Sequence, residues 1–134
     1  MRILALIGVL AILIALGAAG GGGGGGYSGA GTAEDPAIVA SALIKIRQAS
    51  ISHHAAGIPP MSRDDPAVVQ AGARAFAVRG CVNCHGGPGV KLAKFSEGLN
   101  PSPPDLKEVV GSLEARELFW VVKNGINMTG MPSF

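Results

Sequence analysis

Aromatic residues are scarce in this chain of 134 residues: one Trp, one Tyr and four Phe, 4% of the total. A core of ordinary size filled by aromatic rings is thereby excluded. Charge is thin as well, with Lys plus Arg 11, Asp plus Glu 9 and a formal net charge of +2. The basic residues stand singly among acids, only Arg2, Lys45 and Arg47 of them before Ala55. No electrostatic footprint for nucleic acid is present. No segment alternates apolar and polar residues over a useful length, and no internal repeat occurs, which argues against a sheet or a solenoid.

What is abundant is aliphatic residue and glycine. Residues Ile3 to Ala19 form one uncharged block of Leu, Ile, Ala, Val and Gly, preceded by Arg2. This is an export signal or a membrane anchor. As a helix the block would extend about 26 Å, slightly short of a ~30 Å hydrocarbon core yet longer than an ordinary signal core. Gly17 and Ala19 put small residues where a signal peptidase reads, which favours removal after Ala19. Arg2 precedes the block and the first charges beyond it are Glu34 and Asp35, so the positive-inside rule sends the rest of the chain outside the cytoplasm. The glycine run Gly20 to Gly26 and the YSGAGT after it read as a flexible tether.

The remainder, nearer a hundred residues, reads as all-α around a long central loop. Asp35 as N-cap and Pro36 at the first helical position open a helix to about Ser50, with Ile38, Val39, Ala42, Leu43 and Ile46 on one face. HHAAGIPP, residues 53 to 60, is expected to end it, leaving His53 and His54 in a surface loop. Asp65-Pro66 repeats the start signal for a helix to about Arg79, carrying Val69, Ala73 and Phe76 on one stripe and stopped by Gly80. A third helix begins after Ser112, has Glu114 in its first turn, buries Leu118, Phe119 and Val122, and ends at Asn124-Gly125. Between the second and third, GGPGV and NPSPPDL hold too much Gly and Pro for regular structure, apart from a turn of helix after Asp105.

Both cysteines of the chain lie in CVNCH, residues 81 to 85. C-x-x-C-H is the attachment signature of a c-type haem. Two thiols separated by two residues can each add to a vinyl group on one porphyrin edge, and the adjacent imidazole of His85 is delivered to the iron. Such attachment takes place on the outer side of the cytoplasmic membrane, where the topology argument sends this segment. A local disulfide or a thioredoxin-type redox pair competes with this reading, but the second needs a βαβ context. Zinc would need a fourth ligand beyond Cys81, Cys84 and His85, and only His53 or His54 could supply it. The few aromatic residues leave room for a bound apolar group to supply part of the core.

With these residues in view, the chain resembles a membrane-anchored, single-haem class I cytochrome c. The resemblance covers about Asp65 to Phe134: Gly72-x-x-x-Phe76 before the haem motif, CVNCHG, and ELFWVVKNGINMTGMPSF at the end. It implies an all-α cytochrome c-like domain at 61–134, preceded by a signal or anchor (1–19), a Gly-rich linker (20–34) and a helix with a Pro-terminated connector (35–60). It implies covalent haem on Cys81 and Cys84, His85 as proximal iron ligand, and Met131 as distal ligand because that methionine directly precedes Pro132. Met128 is the alternative, and thioether ligation of either kind raises the reduction potential. His85 should donate its second ring N–H to a backbone carbonyl. Pro103 and Pro104 are candidates by resemblance, and Pro88 by nearness. Gly72 and Phe76 match the small residue and the aromatic of a contact between the helix before the haem motif and a closing helix. Trp120 and Phe119 are expected against the haem or in the core, and Lys91, Lys94, Lys107 and Lys123 are weighed as a basic rim against the solvated surface that scattered lysines ordinarily form.

Class I cytochromes continue past the axial methionine into a C-terminal helix, whereas this sequence stops at Phe134. The expectation is a truncated chain, with a partner or the helix at 36 to 50 as the alternative cover, a more exposed haem and a poorly held Met131. The function implied is extracytoplasmic electron transfer in a respiratory chain, without substrate chemistry. The partners implied are an oxidase, a dehydrogenase or a small carrier, with the membrane reached through the N-terminal helix. Two alternatives stand beside it: the haem subunit of a larger complex, and a haem enzyme or gas sensor with an open sixth site. The last would need a distal acid or base, for which only Asn124 and Asn127 lie near the methionines.

Overall fold

A computed structural model describes residues 2–62 and 64–134. Met1, in the expected N-terminal block, and Arg63, near the start of the expected haem domain, lie outside the described residues. Two compact units are present, Met1–Ala33 and Glu34–Phe134.

The first unit is built on one helix, α1 (Arg2–Gly23). It runs through four glycines beyond the expected end at Ala19, because nothing polar in the sequence interrupts it before the chain turns back with Tyr27 N donating to Gly21 O at 2.7 Å. The extra turn brings the helix to about 33 Å, matching a ~30 Å hydrocarbon core. It is long and apolar enough to cross a membrane.

The second unit holds α2 (Ala37–Ala55), α3 (Pro66–Val78), α4 (Cys81–His85), a 3₁₀ turn (Lys94–Gly98), α5 (Leu106–Val109) and α6 (Ala115–Asn124). Among the described residues the sole extended pairing is an isolated bridge between Gly87 and Val90. Helix α3 begins as its sequence dictates, with the Asp65 carboxylate accepting from Ala67 N at 2.8 Å and Pro66 at the first position. Helix α6 starts on a reciprocal cap in which Glu114 and Glu117 each satisfy the other's backbone N–H.

Helix α2 departs from expectation in three ways. Pro36, not Asp35, is its N-cap residue, since ψ of 136° keeps Pro36 out of the helix. It continues past Ser50 to Ala55, so His53 and His54 form its last turn and not a loop. Its expected apolar face is exposed, Ile38 at 81% and Ile46 at 66%, while Ile51 and Ala55 are the buried hydrophobic residues. The reason is that α2 packs on α6 near its C-terminal end, and a contact that far along the helix leaves the earlier turns uncovered.

Three links define that α2–α6 contact. Ser52 Oγ donates to Glu117 Oε1 at 2.5 Å. The His54 ring stacks on Trp120, centroids 5.7 Å apart and planes within 10°. Ile51 and Ala55, beside Ser52 and His54 on α2, are buried. Along α6, Leu118 and Trp120 are half-buried, but Phe119 and Val122, expected inside, are exposed because the face they occupy has no covering helix among the described residues. On α3, which packs on α4, Phe76 is half-buried while Val69 and Gly72 are exposed.

Candidate functional site

A left-handed turn at Gly80, φ 79°, stops α3 and starts α4. A side chain there would be strained in that conformation and would meet Asn83 Nδ2 at 3.2 Å, so glycine is needed. The single helical turn that follows places Cys81, Cys84 and His85 at helical spacings of three and four residues. They therefore share one face, within roughly 100° of arc. All three are half-buried, and both thiols are free.

The loop after α4 is tied back to it. Gly86 N donates to Val82 O at 2.9 Å and Ala93 N donates to Asn83 O at 2.9 Å. The buried Ser96 hydroxyl then donates to Ala93 O at 2.6 Å, so the loop returns to the haem motif through one residue.

Across from α4, His85 Nδ1 lies 3.2 Å from the carbonyl oxygen of Pro104. A carbonyl can only accept, so the bond fixes the proton on Nδ1 and leaves the Nε2 lone pair for a metal. Of the three prolines expected as acceptor, Pro104 has the role. Its carbonyl is held in place because Asp105 next to it caps α5, accepting from Lys107 N at 2.9 Å.

Beyond α6 the chain folds back on itself. Ile126 N donates to Met131 O at 3.1 Å, and Phe134 N donates to Val122 O at 3.1 Å. Thr129 Oγ1 donates to Ile126 O at 2.8 Å and accepts from Met131 N at 3.1 Å. Met131 is thus bonded through both of its backbone groups, which corrects the expectation that it would be poorly held. Its side chain is half-buried, whereas Met128 is 78% exposed and sits at φ 58°. The folded-back segment crosses so close to Gly125 that a Cβ there would come within 2.8 Å of Met131 O, Pro132 C and Ser133 N.

On α6, the contact with α2 alters the acidity of Glu117. Its carboxyl is held below the ordinary carboxylate value, chiefly by the Ser52 hydroxyl, then by the Glu114 backbone N–H, with the Arg116 charge helping and partial burial opposing. Arg116 also pairs with Glu114 at 2.7 Å. Lys123 lies 5.9 Å from the centroid of the Phe119 ring, and Lys94 reaches Glu97 at 3.8 Å in an exposed pair, so two of the four lysines weighed as a rim have partners of their own.

The donor set fits a c-type haem. Two free thiols and an imidazole with its Nδ1 proton engaged share one helical turn, and a half-buried thioether is held in a hydrogen-bonded loop. Leu92, Phe95, Phe119, Val122 and Phe134, in the same unit, are all exposed. His53 and His54 do not join the cysteines, and no three His, Cys, Asp or Glu residues among those described gather as metal ligands. The sequence reading missed Gly125 and Thr129 as the residues that fix the Met131 loop. The Asn-Gly pair at the end of α6 and a hydroxyl two residues before the methionine were their signals.

The family model described as cytochrome C oxidase, cbb3-type, subunit III matches residues 67–134, which takes in all of α3 but its first residue and everything after it. The chain matches no curated protein and no solved structure.

Proposed function

From its place among the cbb3-type subunit III cytochromes, the family to which this chain belongs, we propose that it is an electron-transfer protein carrying one covalent haem c. Cys81 and Cys84 form the thioethers, His85 is the proximal iron ligand and Met131 the distal one. The observation that carries the assignment is the 3.2 Å bond from His85 Nδ1 to Pro104 O, on the same helical turn as two free thiols. Bound haem supplies a single iron that takes up and releases one electron.

The protein's own residues supply the rest. Pro104 O keeps the imidazole in one tautomer and orientation and makes Nε2 the ligating atom. Thr129 and Ile126 hold the Met131 backbone, so a change of iron charge need not displace the loop. Helix α1 anchors the chain in the membrane, and the haem domain works on the extracytoplasmic side, passing electrons between a dehydrogenase or small carrier and an oxidase.

A second reading, that the chain is a subunit of a terminal oxidase, is favoured by the family description itself. Both readings share the chemistry and differ in whether the chain co-purifies with a catalytic subunit.

The test is an absorption spectrum of the full chain co-expressed with a c-haem maturation system, beside a denaturing gel stained for haem. Haem that survives the gel, with a ferrous spectrum unmoved by carbon monoxide, is the expected result. Covalent haem that binds carbon monoxide readily would overturn Met131 as ligand, and absence of covalent haem would overturn the whole assignment.

A further inference from the structure

Helix α2 is held to the rest of its unit at its far end, through Ile51, Ser52, His54 and Ala55. The stretch before that, Ala37 to Ile46, extends for about 15 Å as a helix with almost nothing over it. Its residues are AIVASALIKI, with Lys45 the single charge, and Ile38, Val39, Leu43, Ile44 and Ile46 are all exposed. At 100° per residue Ile38, Val39, Leu43 and Ile46 share about 140° of the helix circumference and Ile44 widens the apolar arc to about 240°, with Ser41 and Lys45 in the remainder. Docking on another protein needs only a narrow apolar stripe, whereas a wide apolar arc with one polar edge suits a helix lying sunk in the surface of an apolar medium.

We propose that the N-terminal half of α2 lies in the surface of a lipid bilayer. The inference rests on the reading that α1 stays in the membrane. Gly24 to Pro36 links the two helices, and a flexible Gly-rich chain of that length has a root-mean-square extent of about 20 Å. The exposed arm is therefore confined near the same bilayer that holds α1. It is too short to span, and Glu34 and Asp35 at its start oppose deep entry, so it lies along the boundary between headgroups and acyl chains. Lys45 and Arg47, at the end nearer the haem domain, have stems long enough to reach lipid phosphates while their helix turn stays apolar. The consequence is a second membrane contact that holds the haem domain close to the bilayer, restricting the reach the tether would otherwise allow.

The test uses the haem-bearing full chain in vesicles of phosphatidylcholine and phosphatidylglycerol. Nitroxide labels are placed singly through Ile44→Cys, Leu10→Cys and Ser28→Cys, with the unsubstituted chain as blank, and Ile38→Cys replaces Ile44→Cys if that variant does not mature. Collision with oxygen, which concentrates in hydrocarbon, is compared with collision with a water-soluble nickel chelate. The expected result is that oxygen dominates at Leu10 and at Ile44, and the nickel chelate dominates at Ser28. A label at Ile44 that meets the nickel chelate freely, while Leu10 is shielded, overturns this inference and leaves the anchor standing. Water-like behaviour at both positions overturns the anchor and this inference together. Shielding of Ile44 from both reagents, with dipolar broadening lost on dilution with unlabelled chain, assigns the arm to a second copy and overturns it. Label uptake by the blank reports a failure of covalent haem attachment separately, because it arises at Cys81 and Cys84.

Discussion

The carbonyl oxygen of Met131 passes so close over Gly125 that a Cβ on that glycine would stand 2.8 Å from it. Gly125 also has φ of 70°, a conformation that side chains rarely adopt. One residue at the end of α6 thereby determines whether the loop carrying the proposed distal ligand can fold back at all.

Gly125→Ala is expected to destabilise the fold by about 2 kcal/mol or more, combining backbone strain with a direct clash. In haem-loaded protein the same variant should let carbon monoxide bind the ferrous iron. Urea unfolding and carbon monoxide difference spectra measure the two effects.

Met131→Ala and Met128→Ala should behave differently. Met128 is 78% exposed and Met131 is half-buried in the bonded loop. Loss of Met131 is expected to open the sixth position and lower the potential by on the order of 100 mV, well inside the roughly 0.8 V that axial ligands span. Met128→Ala should leave both unchanged. A potentiometric titration in which the two variants exchange these outcomes would assign the ligand to Met128.

Asp105→Ala removes the cap that holds α5 beside the Pro104 carbonyl, for a cost of about 1 kcal/mol. Because Pro104 O accepts from His85, the variant should also change the orientation of the imidazole. A shifted proximal histidine signal in the NMR spectrum of the haem protein would report that coupling, and a stability loss without such a shift would confine Asp105 to capping.

Ser52→Ala breaks the hydroxyl contact that chiefly lowers the Glu117 carboxyl. The bond lies at an exposed edge, so a loss of about 0.5–1 kcal/mol is expected at neutral pH. A carboxyl whose folded value lies below its unfolded value stabilises fully above the latter and loses that contribution as pH falls through the former. The gap between wild type and Ser52→Ala in urea midpoint should therefore be widest above pH 4.5, the ordinary value for this group, and narrow in more acidic solution. A gap that widens with acid would contradict the link.

Short-range structure was legible in the sequence alone. The spacing of CVNCH puts two thiols and an imidazole on one helical turn, Asp65-Pro66 declared the start of α3, and the turn after Asp105 and the stop at Gly80 follow from capping and left-handed geometry acting over one to four residues. The all-α class and the cytochrome c family followed from the same local signals, and the family match over residues 67–134 agrees with them. The tertiary structure decided what depends on partners distant in sequence. It chose Pro104 over Pro103 and Pro88, nineteen residues from His85, and it ran α2 on to Ala55 because Ser52 and His54 find Glu117 and Trp120 on α6. It also exposed the Ile38 to Ile46 face, which apolar periodicity had assigned to the core. Periodicity reports which residues would gain from cover, but only the path of the rest of the chain determines which of them receive it.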